Sequence, residues 1–233
     1  MSYTKRFDGR KFEEMRPITA KVGVIKNAVG SAYFKIGKTE AYAAVYGPRE
    51  LFPRFLQNST KGILRCKYNM MPFSGAGDRV RPGPSRRSTE LSVVTTKALL
   101  PVLDLSEFAN SVVDVFVELS QTDAGSRCAG ICAASMALAD AGFPMKDLVS
   151  AIAVGKVGDK IVVDLDKQEE DFEEGAVDVA VAMLPHSGEI SLLQLDGEIS
   201  KEELKESLEM SKKVCMELYD IQKKALKEKF KVK

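Results

Sequence analysis

One doubled unit restricts this chain's fold more than any other feature: an alternating apolar run, a turn carrying glycine and arginine, and a run with helical periodicity. In the first copy "KGILRCKYNMMPF" leads through "SGAGDRVRPGPSRR" into "STELSVVTTKALLPVL", read as a helix from about Ser88. In the second, "SVVDVFVELSQ" places Val113, Val115, Val117 and Leu119 on one face by period-two alternation. The turn "TDAGSR" then opens "RCAGICAASMALADAG", a helix stopped by Gly142 and Pro144. The two copies share organisation rather than sequence.

Around this unit lie more strands. A polar leader of residues 1–16 precedes "TAKVGVIKNA", "GSAYFKIGKT" and "EAYAAVYGP", which read as an antiparallel meander. Downstream come "SAIAVGKVGDKIVVDL", an acidic loop, "AVDVAVAML" and "EISLLQLDG". A terminal helix over about 200–228 opens with Ser200 and Glu203 as a capping box. Leu204, Leu208, Ser211, Cys215, Leu218 and Ala225 recur at helical spacing and give it a face to bury. Strands with a few separated helices indicate an α+β protein, helices layered on mixed sheets. The expectation is one domain over residues 1–233, with a core of about 17–200.

Composition narrows the class. Hydrophobic residues make up 45% and charged residues 29%, as in soluble globular proteins. A net charge of +1 means that polyanion binding must come from a local patch. Four cysteines without a CxxC pair, and a charged N-terminus without an apolar signal core, suggest a reduced, cytoplasmic setting. The strongly apolar stretch over residues 128–139 is twelve residues, too short to span a bilayer.

Three groups of residues carry possible chemistry. The turn Gly125-Ser126-Arg127 precedes a helix, where free N–H groups and the dipole favour an anion. It reads either as a phosphate site or as a simple helix cap by Ser126. Arg79, Arg81, Arg86 and Arg87 sit in a loop rich in glycine and proline, suited to a polyanion or to an ordinary basic surface. The GxxxxGK[ST] and GxGxxG spacings are absent, which argues against a P-loop or dinucleotide fold. Residues 164–178 contain eight carboxylates in fifteen positions. Most suit a solvated loop, but Asp178 lies on the small-residue face of an apolar strand, where a carboxylate needs a metal ion or an arginine. His186, the only histidine, sits in a turn, and Cys128 and Cys132 suit core packing. No Ser-His-Asp or Cys-His arrangement can be assembled.

Together "RFDGRKFEEMRPI", "LRCKYNMMPFS", "RRSTELS", "QTDAGSRCAGICAASMALADAGFPM" and the acidic loop before "VDVAVAM" resemble the ribonuclease PH family. Within it they are most similar to the catalytic ring subunits of archaeal exosomes, in order over nearly the whole chain. The resemblance implies a ribonuclease PH-like fold of two βαβα halves, each like domain 2 of ribosomal protein S5. It also implies phosphorolysis, with inorganic phosphate as co-substrate attacking the terminal diester of RNA and releasing a nucleoside diphosphate. Gly125, Ser126, Arg127 and Arg87 match the phosphate-binding positions, Arg65, Arg86 and Arg87 the RNA-binding ones, and Asp171 and Asp178 the paired aspartates. Implied roles are Asp171 as general acid and Asp178 as a Mg²⁺ or Mn²⁺ ligand, shared or reversed. The family's aspartates stand six apart, whereas these stand seven apart. A bulge at Glu173, Glu174 and Gly175 would absorb the extra residue; otherwise Glu170 replaces Asp171. Implied partners are RNA, an inactive paralogous subunit in a hexameric ring of three heterodimers, and RNA-binding cap proteins. A catalytically silent ring subunit and a homohexameric tRNA-trimming ribonuclease PH are the alternatives.

Overall fold

The computed structural model describes residues 3–77, 79–172 and 175–231. Strands β1 (Ile18–Val22), β2 (Gly30–Ile36) and β3 (Thr39–Glu50) form the expected antiparallel meander. β1 is shorter than its apolar run suggests. At Gly23, φ of +69° carries the chain away while its N–H bonds Ser31 across the turn.

The doubled unit completes this sheet. β4 (Ile63–Met70) is followed by α1 (Arg86–Leu99), and β5 (Ser111–Gln121) by α2 (Ser126–Asp140). β5 pairs antiparallel with β3 and parallel with β4, in the order β1-β2-β3-β5-β4. A parallel pair needs a long crossover, and α1 supplies it. Both strand-to-helix corners therefore emerge at the same end of the sheet. α1 begins two residues earlier than its apolar pattern indicates, because Ser85 and Ser88 cap each other's backbone amides. Arg86 and Arg87 thus belong to its first turn.

The second half is a four-stranded antiparallel sheet, β7-β6-β8-β9, of β6 (Ser150–Val157), β7 (Lys160–Val163), β8 (Ala176–Met183) and β9 (Ile190–Asp196). A one-turn helix α3 (Lys167–Glu170) precedes β8, and α4 (Lys201–Lys229) ends the chain under the expected Ser200–Glu203 box. Every residue of α2 except Arg127 and Ala139 is buried. Alanine, glycine, serine and cysteine dominate it, so both sheets approach closely and one apolar cluster runs through the two halves. Cys128, Cys132 and Cys215 lie in that cluster with Cys66, all as free thiols. No helix among the described residues is long and apolar enough to cross a membrane.

The polar leader acts as a structural strap. Arg6 is fully buried, makes a two-pronged pair with Glu169 at 2.7 and 2.8 Å, and donates to the carbonyls of Val163 and Asp164. Tyr3 donates to the same Glu169 at 2.6 Å. Arg16 grips Asp164 through three bonds of 2.6–2.8 Å. Gly37 makes room for it, since a Cβ there would stand 2.4 Å from the Arg16 chain.

Candidate active site

Parallel pairing of β4 and β5 brings the N-termini of α1 and α2 to one edge, where a cavity of about 390 Å³ opens. Its walls include Tyr68 from β4, Arg87 from α1, the 124–127 turn, and Glu170 and Asp178 from the second half. Backbone N–H groups, two helix dipoles and three arginines, Arg81, Arg87 and Arg127, border this space, a setting for anions.

The turn is built with strain. Ala124 and Gly125 both take left-handed conformations, φ +57° and +62°. Glycine bears this freely, whereas alanine does so at roughly 1–2 kcal/mol. The buried Thr39 hydroxyl holds the turn by donating to the Ala124 carbonyl at 2.7 Å and accepting from the Asp123 amide at 2.8 Å. Arg16 donates to the Asp123 carbonyl from the other side. Gly125 occupies the cap position, so Ser126 is the first helical residue and its side chain caps nothing. The reading of Ser126 as a helix cap is thereby corrected.

Asp178 finds the arginine its environment demands. Its Oδ2 lies 3.5 Å from the Arg127 guanidinium, while its buried Oδ1 has no hydrogen-bond partner among the described residues. Burial raises its pKa; Arg127 and Arg87 pull it down, and Asp196, opposite it on β9, pushes it up further. Glu170 is likewise raised, by burial first and then by Asp178. Its orientation follows from Glu169, which Arg6 and Tyr3 hold inward, and Glu170 turns to the cavity.

The remaining positions divide. Asp171 borders an adjoining cavity of about 340 Å³ shared with Asp178, Arg127 and Arg87, yet is 62% exposed and paired with Lys167 at 2.7 Å. Of the proposed bulge, Glu173 and Glu174 lie outside the described residues; Gly175 has φ of +103°. Arg81 borders the first cavity. Arg86 is exposed in the first turn of α1. Arg65 stands apart, four residues before Asn69 on β4, bound with Arg49 to the buried Asp114. His186 pairs with Asp147 and borders a different cavity. Among the described residues no three His, Cys, Asp or Glu side chains gather into a metal-holding group. Sequence reasoning missed Arg16, Thr39, Asp164, Tyr68 and Lys167. Only the arginine and aspartate spacings of the leader and acidic loop hinted at them, without revealing who pairs with whom.

Fold and site define a class: a basic anion cradle facing partly buried carboxylates, set between two α+β halves. Profiles of the "3' exoribonuclease family" match the chain, its domain 1 over residues 14–144 and its domain 2 over 147–214. The chain belongs to this family, the ribonuclease PH family of 3′ exoribonucleases, and is a phosphorolytic 3′→5′ exoribonuclease by class. It is 52% identical over 226 residues to the "Exosome complex component Rrp41" of Thermococcus kodakarensis, covering 97% of this chain and 90% of that one. To the Rrp41 component of Methanopyrus kandleri it is 49% identical, covering 97% and 93%. The fold also matches rice Rrp46, with a TM-score of 0.83 at 23% identity over 95% of this chain and all of that one. An Archaeoglobus fulgidus exosome structure with RNA bound to the active site matches with a TM-score of 0.78 at 24% identity, covering 98% and 93%.

Proposed function

We propose that this chain is a phosphate-dependent 3′→5′ exoribonuclease subunit of an exosome, working in the cytoplasm and releasing nucleoside diphosphates from RNA 3′ ends. The observation that carries this reading is the meeting, at one cavity, of the Arg127 turn, Arg87 and a partly buried carboxylate with an unpartnered oxygen. Inorganic phosphate rests on Ser126 and Arg127, with Arg87 facing it from α1. The RNA 3′ end enters along Arg86 and Arg65. An inactive paralogue completing a hexameric ring, and RNA-binding cap proteins, are its proposed partners, in keeping with the exosome named for its relatives.

An anionic phosphate and an anionic diester repel, so preorganised donors are the first requirement, and Arg87, Arg127 and the α2 amides supply them. A phosphate oxygen attacks the terminal phosphorus and the bond to the 3′ oxygen breaks. The nucleotide leaves with the incoming phosphate as its β-phosphate. The departing 3′ oxygen needs a proton. Asp171 and Asp178 are the proposed pair that supplies it, with Glu170 the alternative to Asp171 left by the seven-residue spacing. A carboxyl raised by burial holds its proton closer to neutral pH, which suits the task. Mg²⁺ or Mn²⁺ would be held by the carboxylate oxygens of Asp171 and Asp178, for which the unpartnered Oδ1 is available. When bound it supplies positive charge to the leaving oxygen.

Replacing Arg127 tests the phosphate reading. Arg127→Ala is expected to raise the phosphate concentration needed for half-maximal turnover by about tenfold or more, the worth of a charged hydrogen bond. An unchanged phosphate curve reduces the turn to a helix start.

A further inference from the structure

Tyr68 is a cavity-wall residue whose polar atom has no place in the account above. Its side chain is 3% exposed, and its hydroxyl has no hydrogen-bond partner among the described residues. Its backbone is fixed on both sides: the amide donates to Ser92 of α1 at 2.9 Å, and the residue stands opposite Val117 in the parallel ladder. The ring lies against Gly130, where a Cβ would come within 3.2 Å of it. One turn further toward the start of α2, the hydroxyl ends close enough to Ser126 to feel its side chain, but not in hydrogen-bonding geometry. A tyrosine in such a spot has a plain alternative in phenylalanine, which would fill the same volume without a buried unpaired hydroxyl.

We propose that the Tyr68 hydroxyl is a further substrate-binding group, donating a hydrogen bond to the attacking inorganic phosphate as it sits on the 125–127 turn. The inference rests on phosphate binding at that turn. Three features support it. Tyr68 borders the cavity that holds Ser126, Arg127 and Arg87. It comes from a strand rather than a loop, so its position is fixed before phosphate arrives. Burial raises its pKa to about 12, although Ser126 and the two arginines pull the other way, so it remains a protonated donor at any working pH. The scissile diester offers the same oxygen chemistry, but Tyr68 reaches the Ser126 end of the cavity, where the free phosphate sits.

Tyr68→Phe removes one oxygen and nothing else. In the chain purified with its native complex, diphosphate release from poly(A) is measured against phosphate at saturating RNA, with RNA affinity and melting temperature alongside. The half-saturating phosphate concentration is expected to rise about tenfold, with RNA affinity unchanged and melting temperature equal or higher. A phosphate curve within twofold of wild type overturns the proposal, whatever the melting temperature does. So does a change confined to RNA affinity, which would put the hydroxyl on the diester. If wild-type turnover itself ignores phosphate, the phosphate reading of the whole site fails, a result separable from a silent hydroxyl.

Discussion

Arg16 and Asp178 show how single charges are placed here for opposite ends. Arg16 is buried against Asp164 and holds the carbonyl of Asp123, so it ties leader, second half and phosphate turn together. Arg16→Ala leaves the buried Asp164 carboxylate with only the longer 3.5 Å contact to Arg10, and breaking a buried pair typically removes about 3–5 kcal/mol. A urea melt is expected to show that loss, and phosphate titration a weaker phosphate affinity; a stable variant with normal phosphate use contradicts the strap. For Asp178 the sign is reversed. Burial lifts its folded pKa above the unfolded value, so the folded chain binds its proton more readily. The stability this gives is present below the unfolded pKa and lost as pH rises through the folded one. Asp178→Asn should therefore melt higher than wild type at neutral pH, with the gap closing in acid. It should at the same time lower turnover by about 10²–10⁴-fold, the usual worth of a general acid. Lower stability at pH 7 with normal turnover would contradict both halves.

At the scale of elements, a small set of pairings positions the site. Gly155 on β6 stands opposite Asp178 on β8, and a Cβ there would fall 1.8 Å from the Val177 carbonyl. Gly155→Ala must push β8 aside, at about 1–3 kcal/mol, carrying Asp178 with it. Thermal melts and turnover should fall together; loss of stability alone would mean that β8 tolerates the shift. Much of this was legible beforehand. Period two in "SVVDVFVELSQ" marked β5 to the residue, and small residues marked α2, because both patterns reflect what packs on either side. The start of α1 was read two residues late, since serine capping rather than apolar spacing decides it. The leader's role was not legible for a related reason. Arginines in "RFDGRKFEEMRP" look solvated until partners 148–163 residues away are known. Arg127 with Asp178 was foreshadowed by a carboxylate on an apolar strand, whereas nothing local shows that Glu169 turns inward and Glu170 toward the cavity.

For the molecule as a whole, the doubled unit matters because its two copies are parallel neighbours in one sheet, not one in each half. Their helix starts form one wall of the site, and the second half contributes the carboxylates opposite, Glu170 from α3 and Asp178 from β8. A near-neutral chain of net charge +1 thus concentrates its anion-binding groups at a single edge. The central claim is that this edge makes phosphate the nucleophile. It is tested by giving the chain, in its native complex, poly(A) with and without inorganic phosphate and identifying the mononucleotide released. The account predicts adenosine diphosphate, formed only when phosphate is present. Adenosine monophosphate formed without phosphate would contradict it.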